Sequence, residues 1–202
     1  MRLLHTVAPP APPMCHACGR AQRTVVVASA FDEEDGWLVT RASIAVRAAP
    51  EQLYAAYVDL PRMTEWSPML QSVTFDAATR ESAWSLRVPK LLSALATTVG
   101  FPEPSVTWRA VNVIEEPAVL LSWRSIDGME NAGCARFAAS PAAGQTEMSL
   151  ELYYRVPKRV RGIVRSDWCQ DFVRRTMLGT MERFKGSMEE AAECVPAGRV
   201  GR

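Results

Sequence analysis

The chain has 202 residues, 48% of them hydrophobic, with 23 basic and 22 acidic side chains and a formal net charge of +1. That length suits one domain and an appendage, and a charge near zero gives no electrostatic footprint for nucleic acid. No run approaches the ~18 apolar residues of a membrane span, so the chain reads as soluble or at most attached to a membrane surface.

Residues 1–30 hold Arg2, Arg20 and Arg23 and no acidic residue, with Pro9, Pro10, Pro12 and Pro13 close together. Prolines at that density sustain neither a helix nor a central strand. A basic, acid-free front end on a neutral chain has the pattern of a transit peptide. Val26–Val27–Ala28–Ser29–Ala30 resembles the cleavage region of chloroplast leaders. The expectation is a removable leader over 1–30 addressed to the chloroplast, with the mitochondrion as the alternative.

Cys15-His16-Ala17-Cys18 offers half of a zinc site or a redox pair. No second pair follows at ligand spacing, so coincidence is the better reading. Both histidines, His5 and His16, belong to the leader. A mature domain starting near residue 30 therefore lacks the groups for Ser-His, Cys-His or His-ligated zinc chemistry. Cys134, Cys169 and Cys194 are scattered and read as small buried hydrophobes, not a disulfide framework. Neither a cofactor nor a metal ion is expected.

Residues 31–38 form an acidic lead-in (Asp32, Glu33, Glu34, Asp35). From Val39 the pattern has period two, with Ala42, Ile44 and Val46 on one side and Arg41, Ser43 and Arg47 on the other, which predicts a half-buried strand. Pro50 suits the first turn of a helix, and Glu51 and Gln52 suit its positive end. Leu53, Tyr54 and Tyr57 form its packing stripe; Pro61 opens a second short helix ending at Trp66-Ser67-Pro68.

Six more strands are readable at Gln71–Phe75, Ser82–Val88, Ser105–Ile114, Val119–Ser125, Cys134–Ala139 and Thr146–Val156. The span Lys90–Pro104, with Leu91, Leu92 and Leu95, reads as a short amphipathic helix or an apolar flap. After Pro157 the chain is basic and then enters a long helix to about Cys194. Trp168, Phe172, Met177, Met181, Phe184 and Met188 recur there at roughly helical spacing. The domain thus runs over 39–195, with 196–202 a tail.

Several short segments in this order carry a resemblance. They are Ala49-Pro50-Glu51-Gln52-Leu53-Tyr54, Asp59-Leu60-Pro61, Glu65-Trp66-Ser67-Pro68, Val106-Thr107-Trp108 and Trp123-Arg124-Ser125 with Asp127-Gly128. Gly133 with Phe137, and Thr146 with Leu150, Tyr154 and Pro157, complete the set. Over about residues 39–192 the chain resembles the START-like superfamily, which includes polyketide cyclase/dehydrases and coenzyme Q-binding proteins. The resemblance implies an α+β helix-grip fold. A curved antiparallel sheet of six to seven strands would wrap a long C-terminal helix, with two short helices after the first strand and a cavity between sheet and helix. It implies less about chemistry, because this scaffold hosts carriers, receptors and enzymes alike.

Strand phase indicates what that cavity would contain. One set of alternating positions holds Ala42, Ile44, Val46, Trp84, Leu86, Val88, Val106, Trp108, Ala110, Leu121, Trp123, Ser125, Ala135, Phe137, Leu150, Leu152 and Tyr154. The other holds Arg87, Thr107, Arg109, Arg124, Arg136, Glu151 and Arg155. No charge falls in the first set, whereas general acid–base catalysis wants a titratable group beside the substrate. An apolar pocket with few polar anchors is the usual form of a small-molecule site. Aromatics on an inner sheet face are also ordinary core, and the resemblance is what tips them toward a ligand wall.

The candidate ligand-binding residues are Trp66, Met69, Trp84, Leu86, Trp108, Trp123, Ser125, Phe137, Leu152, Tyr154, Trp168, Phe172, Met181 and Phe184. Lys158, Arg159, Arg161 and Arg165 are candidates for peripheral contact with an anionic membrane surface, against the plainer reading of a solvated loop. No catalytic residue is assigned. The leading expectation is a carrier of a hydrophobic small molecule such as a lipid, prenylquinone or isoprenoid. A cyclase/dehydratase-type enzyme, which would need Asp127, Glu130 or Arg124 to reach the pocket, is one alternative. An organelle assembly factor with a vestigial pocket is the other.

Overall fold

The structure is a computed structural model and describes residues 25–32, 34–87 and 105–193. The first 24 residues with Cys15-His16-Ala17-Cys18, the Lys90–Pro104 span, Val88, Cys194 and the 196–202 tail lie outside the described residues.

Among the described residues, eight antiparallel strands form one sheet. They are β1 (Val25–Asp32), β2 (Trp37–Val46), β3 (Leu70–Asp76), β4 (Glu81–Arg87), β5 (Ser105–Glu116), β6 (Leu120–Gly128), β7 (Asn131–Ala139) and β8 (Thr146–Arg155). Their spatial order is β1-β2-β8-β7-β6-β5-β4-β3. Hairpins join the strands from β3 to β8 where the described chain is continuous. Between β2 and the far edge strand β3 the chain crosses through α1 (Pro50–Val58), a 3-10 turn (Leu60–Arg62) and α2 (Met63–Trp66). After β8 come a 3-10 turn (Lys158–Val160) and α3 (Arg161–Val164). The 27-residue α4 (Asp167–Glu193) follows.

The helix-grip expectation is met, with one strand more than the six to seven read from sequence. The extra strand is β1, made of residues that the sequence placed in the leader and lead-in. Val25–Asp32 pairs with Ile44–Trp37 along its whole length, and Val25 and Val27 pack against the core. The sequence pattern also starts β2 late, at Val39, because Trp37 and Leu38 follow the acidic turn directly.

Local chemistry explains the helical crossing. Pro50 stands at the start of α1, where its missing N–H costs nothing. Gln52 Oε1 reaches back to accept the Ala49 backbone N–H at 3.0 Å, satisfying a donor the helix cannot. Two contacts seat α4 in the concave sheet: Lys185 Nζ donates to the Ala45 carbonyl at 2.8 Å, and Ser29 Oγ donates to Gln170 Oε1 at 2.8 Å.

The pairing register gives the sheet two distinct ends. Trp37, Arg155, Asn131, Gly128, Arg87 and Leu70 lie at one; Val46, Thr146, Ala139, Leu120 and Asp76 lie at the other. The second end is solid. Ile44, Val46, Leu53 and Met148 are almost wholly buried there, and Tyr54 and Tyr57 meet Phe137 edge-on at 5.7 and 6.1 Å.

Candidate functional site

Toward the first end the two layers part and enclose a cavity of about 380 Å³. Its sheet wall comes from Leu38 and Thr40 on β2, Leu150, Leu152 and Tyr154 on β8, Trp123 on β6, Trp108 on β5 and Trp84 on β4. Tyr57, Met63 and Trp66 of the helical crossing close one side. Phe172, Thr176, Met177, Met181 and Phe184 of α4 form the opposite wall.

Of the residues singled out from sequence, Trp66, Met69, Trp84, Leu86, Trp108, Trp123, Leu152, Tyr154, Phe172, Met181 and Phe184 line this cavity. Three do not. Ser125 sits beside a register shift between β5 and β6, and its Oγ accepts the Asn131 backbone N–H at 2.9 Å, tying the β6–β7 hairpin. Phe137 has the inward phase but lies under α1 in the solid end, against Tyr54 and Tyr57. Trp168 is 45% exposed at the start of α4, stacked on Phe172 at 6.1 Å. Periodicity assigns a face; the distance to the opposing layer decides whether that face is filled.

The basic segment is less uniform than its sequence. Lys158, Arg159 and Arg165 are exposed. Arg161 is half-buried: its Nε donates to the Val156 carbonyl, and its guanidinium lies where a Cβ on Gly36 would fall. Gly36, at φ +72°, thus serves both the turn and the close approach.

Among the described residues, no Asp, Glu, Lys, Arg or His lines the cavity. Arg124, Asp127 and Glu130 are exposed, so the enzyme alternative does not obtain its ionisable group from them. Arg109, also on the outer face, meets Glu81 at 3.0 Å. Glu151 is buried on that face, with Arg41 Nε at 3.1 Å and the Tyr153 hydroxyl donating to it at 2.7 Å.

The cavity wall does hold three weak acids. Burial pushes the Tyr154 hydroxyl up to about 12. Burial raises Tyr57 further, with Tyr154 as the next contributor, and burial raises the Cys169 thiol. All three are neutral at pH 7, and a protonated thiol is a poor nucleophile. The sequence reads Cys169 as a small buried hydrophobe, and the structure places it, buried, on this wall.

Polar wall groups missed from sequence are Thr40, Ser67, Ser82, Asn112, Asn131, Thr176 and Thr180. Among the described residues, three of them bond to the protein through their side chains. The Trp84 indole N–H donates to Ser82 Oγ at 2.8 Å, and Ser82 Oγ donates to the Ala110 carbonyl at 3.1 Å. Asn112 Nδ2 donates to Glu115 at 2.7 Å and Asn131 Nδ2 to the Met129 carbonyl at 2.8 Å. The period-two signal was present for Thr40, two residues before Ala42, but a hydroxyl on an inward phase drew no notice.

Comparison with known proteins adds the family level. The family model described as polyketide cyclase / dehydrase and lipid transport matches residues 38–189. A solved Deinococcus radiodurans protein is 26% identical with a TM-score of 0.57, covering 76% of this chain and 98% of its own. The Zhui aromatase/cyclase from Streptomyces sp. R1128 is similar at 15% identity and a TM-score of 0.56, covering 79% of this chain and 98% of its own. A START superfamily protein from Mycobacterium smegmatis follows at 10% identity and 0.56, covering 76% and 98%. At those two identities the likeness is one of fold. No curated protein matches the sequence.

Proposed function

This chain belongs to the polyketide cyclase / dehydrase and lipid transport family, and from that premise we propose that it binds and carries a hydrophobic small molecule in the cavity between sheet and α4. The observation that carries the reading is the wall itself, large, aromatic and free of charged side chains among the described residues. Such a wall gains free energy from apolar burial and presents a ligand with neutral polar groups only.

The cavity volume accommodates roughly 20 heavy atoms at organic packing density. At ~0.3 kcal/mol per atom they contribute about 6 kcal/mol, a Kd of tens of micromolar. Affinity of that order suits loading and release. A lipid of the prenylquinone or isoprenoid type fits the neutral wall and the quinone-binding relatives that the sequence resembles. The basic leader supports action in an organelle, the chloroplast before the mitochondrion. Exposed Lys158, Arg159 and Trp168 support peripheral contact with an anionic membrane, since cations and an interfacial indole favour such surfaces.

Native mass spectrometry of the protein isolated from its own compartment tests the central claim. Recovery of a neutral, apolar small molecule released on denaturation is expected. Protein that carries no such molecule and takes up none from an organellar lipid extract would overturn it.

A further inference from the structure

The methionines are not spread evenly through the fold. Met63, Met69, Met129, Met177 and Met181 line the cavity, and among the described residues only Met148 and Met188 do not. None of the five stands on a strand. Met63 belongs to α2, Met69 and Met129 to the segments before β3 and between β6 and β7, and Met177 and Met181 to α4. The strands contribute leucine and tryptophan to the wall instead, as at Leu86, Leu150, Leu152 and Trp108.

The aromatic rings of the wall are largely held by one another. Trp84 stacks on Trp108 at 5.6 Å and its indole N–H is bonded to Ser82. Trp66 meets Phe184 at 5.1 Å, and Phe172 stacks on Trp168 at 6.1 Å. A ring turns about two side-chain torsions only, and a paired ring loses its partner when it turns. A methionine side chain is unbranched, has three rotatable bonds and ends in a polarizable thioether, so it fills irregular space readily. The cavity thus combines a fixed aromatic frame with a set of side chains, on its helical side and rim, that can change shape.

We propose that these methionines set the breadth of the site: they repack around the occupant, so that the cavity takes uncharged apolar molecules of different shape with similar affinity. This inference rests on the reading of the cavity as a ligand site and deepens it, because the ligand becomes a class of molecules alike in polarity, with shape left free. In a fixed apolar pocket a misfit of one methylene discriminates about 10–200-fold. Methionine-rich surfaces that re-pack give up that discrimination. Leucine is close to methionine in volume but branched and shorter, so Met→Leu keeps the wall apolar and filled while removing its adaptability.

The test uses the full-length protein and three uncharged probes, dodecanol, farnesol and N-phenyl-1-naphthylamine, which are a straight chain, a branched chain and a pair of aromatic ring systems. Trp84, Trp108 and Trp123 line the cavity, and tryptophan emission reports occupancy. The quantity read is the ratio of the weakest to the tightest Kd. Wild type is expected to hold all three probes within about tenfold, the lower limit of what a fixed pocket would impose. The triple variant Met63→Leu/Met177→Leu/Met181→Leu should widen the ratio by a further factor of about ten. Met177→Leu alone, at a partly buried position, should widen it by about threefold, and it carries the test if the triple variant does not fold. Met188→Leu, off the cavity wall, should leave the ratio at its wild-type value. A ratio unchanged by the cavity substitutions, an equal widening by Met188→Leu, or a wild type that already separates the probes more than tenfold would overturn the proposal and leave the cavity reading standing. Failure of all three probes to bind wild type would bring both down.

Discussion

Trp84 and Trp108 face each other directly across β4 and β5, their rings stacked 5.6 Å apart and only 8° from parallel. The pair forms a flat wall of the cavity, and Ser82 holds it in place by accepting the Trp84 indole N–H while donating to the Ala110 carbonyl. Ser82→Ala removes both bonds at once and leaves the indole donor facing apolar surroundings. Stability is expected to fall by about 1–3 kcal/mol, read as a lower urea midpoint at unchanged m. An unchanged midpoint would show that the indole finds another acceptor.

Gly133 is required by its neighbour. A Cβ there would lie 2.4 Å from Trp123 Cζ2 and 2.7 Å from the Glu151 carbonyl oxygen. The ring of Trp123, part of the cavity wall, rests on the bare backbone of β7. Gly133→Ala must push the indole inward or part β7 from β8, an overpacking cost of about 1–3 kcal/mol. Calorimetry should show a lower Tm, and the tryptophan emission should shift as the ring moves.

These two positions also show what the sequence made legible. The order of elements followed from turns and from alternation. Six of the eleven candidate residues that came together did so because an inward phase on a curved sheet converges on one volume, and the other five come from α2, the segment after it and the helical stripe of α4. The reason Ser125, Phe137 and Trp168 stand outside it is three-dimensional. A register shift turned the first to a hairpin, α1 covered the second, and the third stands exposed in the first turn of α4. Thr40 was illegible for the converse reason: a threonine in a strand is ordinary until the cavity beside it is seen.

Strand β1 gives a prediction about the leader. Residues 1–24 precede β1, whereas removal through Ala30 would take six of its eight residues. Val25 and Val27 pack on the core and Ser29 bonds α4. Deleting 1–24 is expected to leave Tm unchanged. Deleting 1–32 should cost on the order of 3 kcal/mol from the lost valine burial, or roughly 6–12 °C. Equal Tm for the two forms would show that β1 adds nothing, and N-terminal sequencing of the organellar protein would then be free to find cleavage at Ala30.

Alkaline titration probes the cavity and its outer face together. Tyr154 is pushed up to about 12 by burial, and Tyr153 to about 12 by burial and its bond to Glu151. An unfolded tyrosine titrates near ~10. Between those values the folded chain keeps protons that the unfolded chain has released. Unfolding then sheds protons, and rising pH favours it. The contribution is fully present below about pH 10 and is lost as pH climbs through about 12, so Tm should hold steady from neutrality to about pH 9 and fall steeply above 10. Tyr154→Phe should flatten part of that fall and remove one late-titrating phenolate from the ultraviolet spectrum near its folded value. If the variant retains the full alkaline fall and loses only an ordinary phenolate near pH 10, Tyr154 is solvated and the wall it belongs to is wetter than described.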